Sequence, residues 1–176
     1  AFSPGGHSLV EFDSFIPASS AAGAVNEGGI GNFSRVQLSK KLAGKVVGVS
    51  PFIGELKEGI RGSCSPDDLE TLMELLYLSF TAPRADPEAF EAMQDRRRAQ
   101  LKNRLADPDA VFSDRVTEVL SQDHPRRKPW TPETVDDMDL AVSMDIFRER
   151  FADADDFTIL FTGNVDLDAL EPLAAK

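Results

Sequence analysis

The sequence predicts an α+β fold, a mainly antiparallel sheet with helices packed on one face, and three observations carry that prediction. Strand-like patterning is confined to a few short stretches, above all two consecutive runs at 45–53 and 55–63. Between and after them, apolar residues recur at helical spacing behind Ser-Pro and Asp-Pro starts. The resulting order, strand, two helices, two strands, several helices and a last strand, segregates helices from strands instead of alternating them.

Each element has its own justification. His7 to Phe12 reads as a short strand. The stretch 15–26, rich in small residues, reads as a helix of little bulk stopped by Gly28-Gly29. A second helix, 34–42, carries Val36, Leu38 and Leu42 and ends at Gly44. The runs 45–53 and 55–63 form a meander joined near Gly54. Ser65-Pro66-Asp67-Asp68 is a helix start, with Ser65 as N-cap, Pro66 at the first position and acids at the positive end of the dipole. The helix it opens, 69–80, has apolar residues around most of its circumference and is expected to be the buried central helix. Asp86-Pro87 opens a helix with Phe90, Met93, Leu101 and Leu105 on one stripe. Asp107-Pro108 opens another with Val111, Phe112, Val116, Val119 and Leu120 on one side. Residues 122–130 form a polar, Pro-broken loop and 131–133 a short helical turn. Leu140, Met144, Phe147 and Phe151 mark an amphipathic helix, 157–161 a continuous apolar strand, and 166–175 one more helix.

Composition narrows the function. The chain has 176 residues, 41% of them apolar, enough for one domain, residues 1–176, to bury a core without staples. Its 30 acidic residues against 19 basic give a net charge of -11, which repels nucleic acid and anionic membranes. No stretch has the length of a membrane span. The single cysteine, Cys64, excludes an internal disulfide framework. The acidic clusters at Asp136, Asp137 and Asp139 and at Asp153, Asp155 and Asp156 read as a solvated face, or as adaptation to high salt, because no calcium-loop spacing accompanies them.

The residue types that carry catalysis are sparse. Zinc peptidase chemistry uses two histidines one helical turn apart with a glutamate base, whereas His7 and His124 fall on a strand and in a loop. His7 reads as a surface or strand-end histidine and His124 as a solvated loop residue. No Gly-x-Ser-x-Gly elbow occurs, and Ser8 reads as a strand residue. Cys64 precedes a helix start, where a dipole can activate a thiol; with no histidine near it in sequence, an idle thiol is the favoured reading. Gly28-Gly29-Ile30-Gly31 follows a helix and lacks the Lys-Ser/Thr of a phosphate loop, so it reads as a helix stop plus turn. The basic run Asp95-Arg96-Arg97-Arg98, with Lys102 and Arg104, reads as pairing with the chain's own acids or as a contact with a neighbouring domain.

Taken together, several segments resemble the pitrilysin/insulinase-type zinc peptidases, and among them the long bacterial members. They include Phe2-Ser3-Pro4-Gly5-Gly6, Glu27-Gly28-Gly29-Ile30-Gly31, Ser50-Pro51-Phe52-Ile53-Gly54-Glu55, Phe80-Thr81-Ala82-Pro83-Arg84-Ala85-Asp86-Pro87, His124-Pro125-Arg126-Arg127 and Phe161-Thr162-Gly163-Asn164-Val165-Asp166. They cover nearly the whole chain in the family's order. The resemblance implies a unit of a repeated α+β framework in which one unit carries a His-x-x-Glu-His helix and a distal Glu. Here the first helix presents Ala18-Ser19-Ser20-Ala21-Ala22-Gly23-Ala24 at the ligand positions, and Gln94 to Gln100 lie in the region of the distal Glu. The expectation is therefore a non-catalytic unit with no catalytic residues, no metal ligands and no substrate-binding residues that carry over. Zinc would sit in another unit of the parent polypeptide. Partners would be the other repeat units and a peptide or unfolded protein substrate, with periplasm or cell envelope as the implied location. The resemblance further implies an N-terminally truncated unit whose incomplete sheet leaves an edge free to pair with another copy. Two other classes stand beside this one: a scaffold domain of a relative that has lost proteolysis, and an enzyme of unfamiliar chemistry working through Cys64.

Overall fold

The computed structural model describes residues 1–175. Three strands, β1 (Phe2–Pro4), β2 (Val47–Ile53) and β3 (Lys57–Cys64), form an antiparallel sheet in the order β1-β3-β2. The β2–β3 hairpin runs in register from Val47 opposite Cys64 to Ile53 opposite Glu58, and Gly54 N–H closes the turn on Lys57 O at 2.8 Å. Alternation then sorts the side chains. Val49, Ile53 and Ile60 face the core, whereas Arg61 lies over the Phe52 ring on the outer face, 4.5 Å from its centroid. Beyond β3, β2 has no strand neighbour among the described residues, and it carries Pro51.

Among the described residues seven α-helices accompany the sheet: α1 (Phe15–Gly28), α2 (Arg35–Lys41), α3 (Leu69–Thr81), α4 (Pro87–Leu105), α5 (Pro108–Leu120), α6 (Leu140–Arg150) and α7 (Leu167–Ala174). Their starts follow from the sequence. Ser34 makes a full capping box with Gln37, and Asp86, Asp107, Asp139 and Asp166 each accept a backbone N–H from the first turn they precede. Asp139 and Asp153, members of the two acidic clusters, are thus engaged as caps.

The central helix is α1, not the 69–80 helix. Ala18 and Ala21 have no exposed surface and Ala24 almost none, and such small residues let neighbours approach closely. Against α6, the Ser20 and Ser143 hydroxyls meet at 3.2 Å, and the Ser143 hydroxyl also donates to Pro17 O at 2.9 Å. One side of α1 joins a core of Ile60, Met144, Phe147, Phe151 and Phe157; the other joins Phe90, Leu101, Val135 and Met138. The helix α3 buries one stripe, Thr71, Leu75 and Ser79, and leaves Tyr77 exposed.

Two expected strands take other forms. Residues 7–12 contribute to two 3-10 turns, Gly6–Leu9 and Phe12–Ser14, and the strand lies earlier, at Phe2–Pro4. Gly6 redirects the chain: it sits at φ +79°, donates to the Glu58 carboxylate at 2.6 Å, and a Cβ there would lie 2.2 Å from Gly54 O. At 157–161, only Thr158 pairs, exchanging hydrogen bonds with Phe2 at 2.9 and 3.0 Å. Because β1 is three residues long, it offers no further edge, and Ile159 and Leu160 face solvent. The apolar side of α5 is likewise uncovered, with Val111, Phe112, Val116, Val119 and Leu120 all exposed.

Candidate functional site

The two stretches singled out at the family's ligand positions meet across one cleft. Ser19, Ser20, Gly23 and Glu27 of α1 face Met93, Arg96, Arg97 and Gln100 of α4 around a cavity of about 280 Å³, with Trp130 and Met138 at its side. The α1 side is kept low by composition, since a Cβ on Gly23 would already touch the Met93 sulfur at 3.3 Å. The Ser19 hydroxyl donates to Phe15 O at 2.8 Å and the Ser20 hydroxyl to Pro17 O at 3.0 Å, both within their own helix. Glu27, the carboxylate of this cleft, accepts from Arg96 at 2.8 Å and from Arg35.

This arrangement does not fit the zinc ion that the resemblance implies for a catalytic unit. Zinc takes imidazole nitrogen, thiolate or carboxylate oxygen in a tetrahedral set. The cleft offers back-bonded hydroxyls, a glycine, and a carboxylate held between two guanidinium groups whose charge opposes a cation. Among the described residues, no group of three His, Cys, Asp or Glu side chains is placed to hold a metal.

The basic run of α4 is largely paired. Arg96 reaches Glu27, Arg98 reaches Asp95 at 3.1 Å and Asp136 at 2.8 Å, and Arg104 grips Asp114. Arg97 differs, lying over the Trp130 ring at 5.0 Å from its centroid.

The structure brings together the two histidines that the sequence left apart. His7, in the Gly6–Leu9 turn, and His124, capping the turn Pro125–Arg127, line one cavity of about 500 Å³, which shares Ser19, Arg97 and Trp130 with the interhelical cleft. His7 packs edge-on against Phe15, with centroids 5.1 Å apart, and its Nδ1 is buried without a partner. Burial holds its pKa below the ordinary value; Glu55 pulls it up, and Arg126 and Arg127 press it down. His124 Nδ1 accepts the Arg126 backbone N–H at 3.3 Å. The Arg126 guanidinium is fixed by two main-chain carbonyls, His7 O at 2.7 Å and Val10 O at 2.5 Å, and lies over Phe15. In the sequence, 122–130 reads as a plain polar loop, and this cavity is not evident from it. The clustering of His124, Arg126, Arg127 and Trp130 within seven residues was the available signal.

The remaining candidates have local explanations. Cys64 is half-buried at the end of β3, where burial and then the Asp68 charge push its pKa up, so the helix start does not activate it. Gly29 stops α1 at φ +94°, and the loop behind it docks on the end of α3 through Gly31 N–H to Ala82 O at 2.8 Å. That is a helix stop and turn. No described helix is long and apolar enough to cross a membrane.

An antiparallel sheet with helices packed on its inner face is an α+β fold, and it has counterparts among proteases. Over 98% of its length the chain matches part of the periplasmic protease PqqL from Escherichia coli, with a TM-score of 0.77 at 20% identity. Over 85% it matches part of a variant of the ferredoxin protease FusC, solved in complex with Arabidopsis ferredoxin, with a TM-score of 0.67 at 17% identity. The chain spans 19% and 16% of the length of those two proteins. No protein-family model and no curated protein matches the sequence significantly. At these identities the likeness establishes a shared fold.

Proposed function

We propose that the chain is a non-catalytic unit of a longer zinc peptidase of the pitrilysin/insulinase type. In this reading it packs against other repeat units of the same polypeptide and helps enclose a peptide or unfolded protein, while the zinc chemistry takes place in another unit. The observation that carries the reading is the α1–α4 cleft, where a framework shared with two proteases presents Ser19, Gly23 and a Glu27 clasped by Arg35 and Arg96. The short span relative to those proteases supports a unit within a larger chain. That FusC was solved with a protein bound supports a protein or peptide substrate, and the periplasmic setting of PqqL supports the cell envelope as location.

Equilibrium dialysis of the purified chain against equimolar zinc, followed by metal analysis and a fluorogenic peptide assay, tests this. The expected result is no stoichiometric zinc retained and no hydrolysis above the blank. Stoichiometric zinc held by side chains of α1 and α4, or zinc-dependent cleavage, would refute it.

A further inference from the structure

In a chain with eleven more acidic than basic residues, most arginines should find a carboxylate, and in the trough made by the two adjoining cavities two of the four lining arginines do. Glu27 engages Arg96, and both carboxylate oxygens of Glu55 lie 2.7 Å from one Arg127 nitrogen. Arg97 and Arg126, which line the same cavity, are left without a carboxylate partner among the described residues. Both lie instead over aromatic rings, Arg97 over Trp130 and Arg126 over Phe15, and Arg126 is further clamped by two carbonyls. Each guanidinium keeps free N–H groups beyond these contacts. Because His124 Nδ1 accepts a backbone N–H, its ring proton sits on Nε2, a third donor on the same wall.

We propose that this trough binds a peptide segment through an acidic side chain, with Arg97 and Arg126 pairing the carboxylate and Trp130 and Phe15 flanking an apolar neighbour. The inference rests on the peptide-enclosing reading above and adds a sequence preference to it. Planar guanidinium groups match carboxylate geometry, and clamped ones lose little freedom on binding. The cavity volume of about 500 Å³ lies within the range of small-ligand sites. The chain's strong negative charge disfavours polyanions but leaves room for one or two carboxylates at a locally positive wall.

Trp130, the single tryptophan, reports directly on this site. The probe is the blocked peptide acetyl-Gly-Phe-Asp-Asp-Gly-amide, titrated into the whole chain at 50 mM and 200 mM salt. Its counterpart with Asn in place of both Asp is run alongside. A saturable fluorescence change is expected for the acidic peptide, weaker at high salt, with the Asn peptide binding about tenfold less tightly or worse. Arg97→Gln, on an exposed side chain, should weaken the acidic peptide about tenfold while leaving the thermal midpoint nearly unchanged. Arg126→Gln should weaken it as well, even if it also lowers the midpoint. Equal binding of the two peptides, or unchanged affinity in Arg97→Gln, would overturn the proposal. So would displacement of the peptide by inorganic phosphate as effective as by free peptide, which would mark a general anion site. Zinc dialysis on the same preparation scores the non-catalytic reading separately, so a failed titration without retained zinc sinks this inference alone.

Discussion

Phe147 and Phe112 are the same residue on two helices whose sequences both read as amphipathic, yet the structure gives them opposite fates. Phe147, on α6, has no exposed surface and stacks on Phe151 with centroids 4.2 Å apart and planes 9° from parallel; Phe151 in turn meets Phe157 and Phe80. Phe112, on α5, is 70% exposed. Truncating a fully buried phenylalanine removes its transfer energy and leaves a void, a cost of about 3–5 kcal/mol, with stacking accounting for about 0.5–1.5 of it. For a chain of this size each kcal/mol lowers the thermal midpoint by about 2–4 °C, so Phe147→Ala should melt about 6–20 °C lower. Phe112→Ala should stay within about 0.5 kcal/mol of the parent. Urea unfolding followed by circular dichroism, with a thermal scan, measures both. A cost below about 1 kcal/mol for Phe147→Ala, or an equal cost for the two, would refute the placement of the core between α1, α6 and the sheet.

The further outcomes concern ionisation and backbone packing. Burial lowers the folded pKa of His7, so the unfolded chain takes up a proton first, and stability should fall as pH drops below about 6.5; His7→Leu should flatten that part of the urea-midpoint profile. Glu58 has the opposite sign: desolvation raises its folded pKa, against the Gly6 N–H and the Arg150 charge. The stability it contributes is thus present below its ordinary 4.5 and lost as pH rises through the raised value, a loss that Glu58→Gln should remove from the same profile. At Gly28, an added Cβ would lie 2.1 Å from Arg84 O, so Gly28→Ala should cost about 1–3 kcal/mol by urea unfolding. Gly23→Ala, which meets the flexible Met93 at 3.3 Å, should cost less than Gly28→Ala.

Where the sequence was legible, a local rule and the global fold agreed. Asp86-Pro87 and Asp107-Pro108 start helices because a carboxylate cap and a fixed φ act within one turn, whatever lies beyond. The hairpin could be read because Gly54 and the flanking alternation fix its register. Residues 7–12 could not be read in this way. Their conformation is set by Gly6 and by Glu58, fifty-two positions away, whose carboxylate captures the Gly6 N–H. Helical periodicity could not say which of α1, α3 and α5 would be buried, because the stripe shows that a face is apolar and not what covers it. The α1–α4 cleft was legible as two separate stretches, since the resemblance to zinc peptidases singles out both positions. The neighbouring trough was not, because it joins His7 to Arg126 across 119 positions through main-chain carbonyls that no side-chain pattern announces.

The small side chains of α1 set how closely α4 and α6 can sit. Ser20 meets Ser143 of α6 and Gly23 lies under Met93 of α4, so a larger side chain at either position presses on a neighbouring helix. Ser20→His or Gly23→His would therefore push α6 or α4 outward and lower stability.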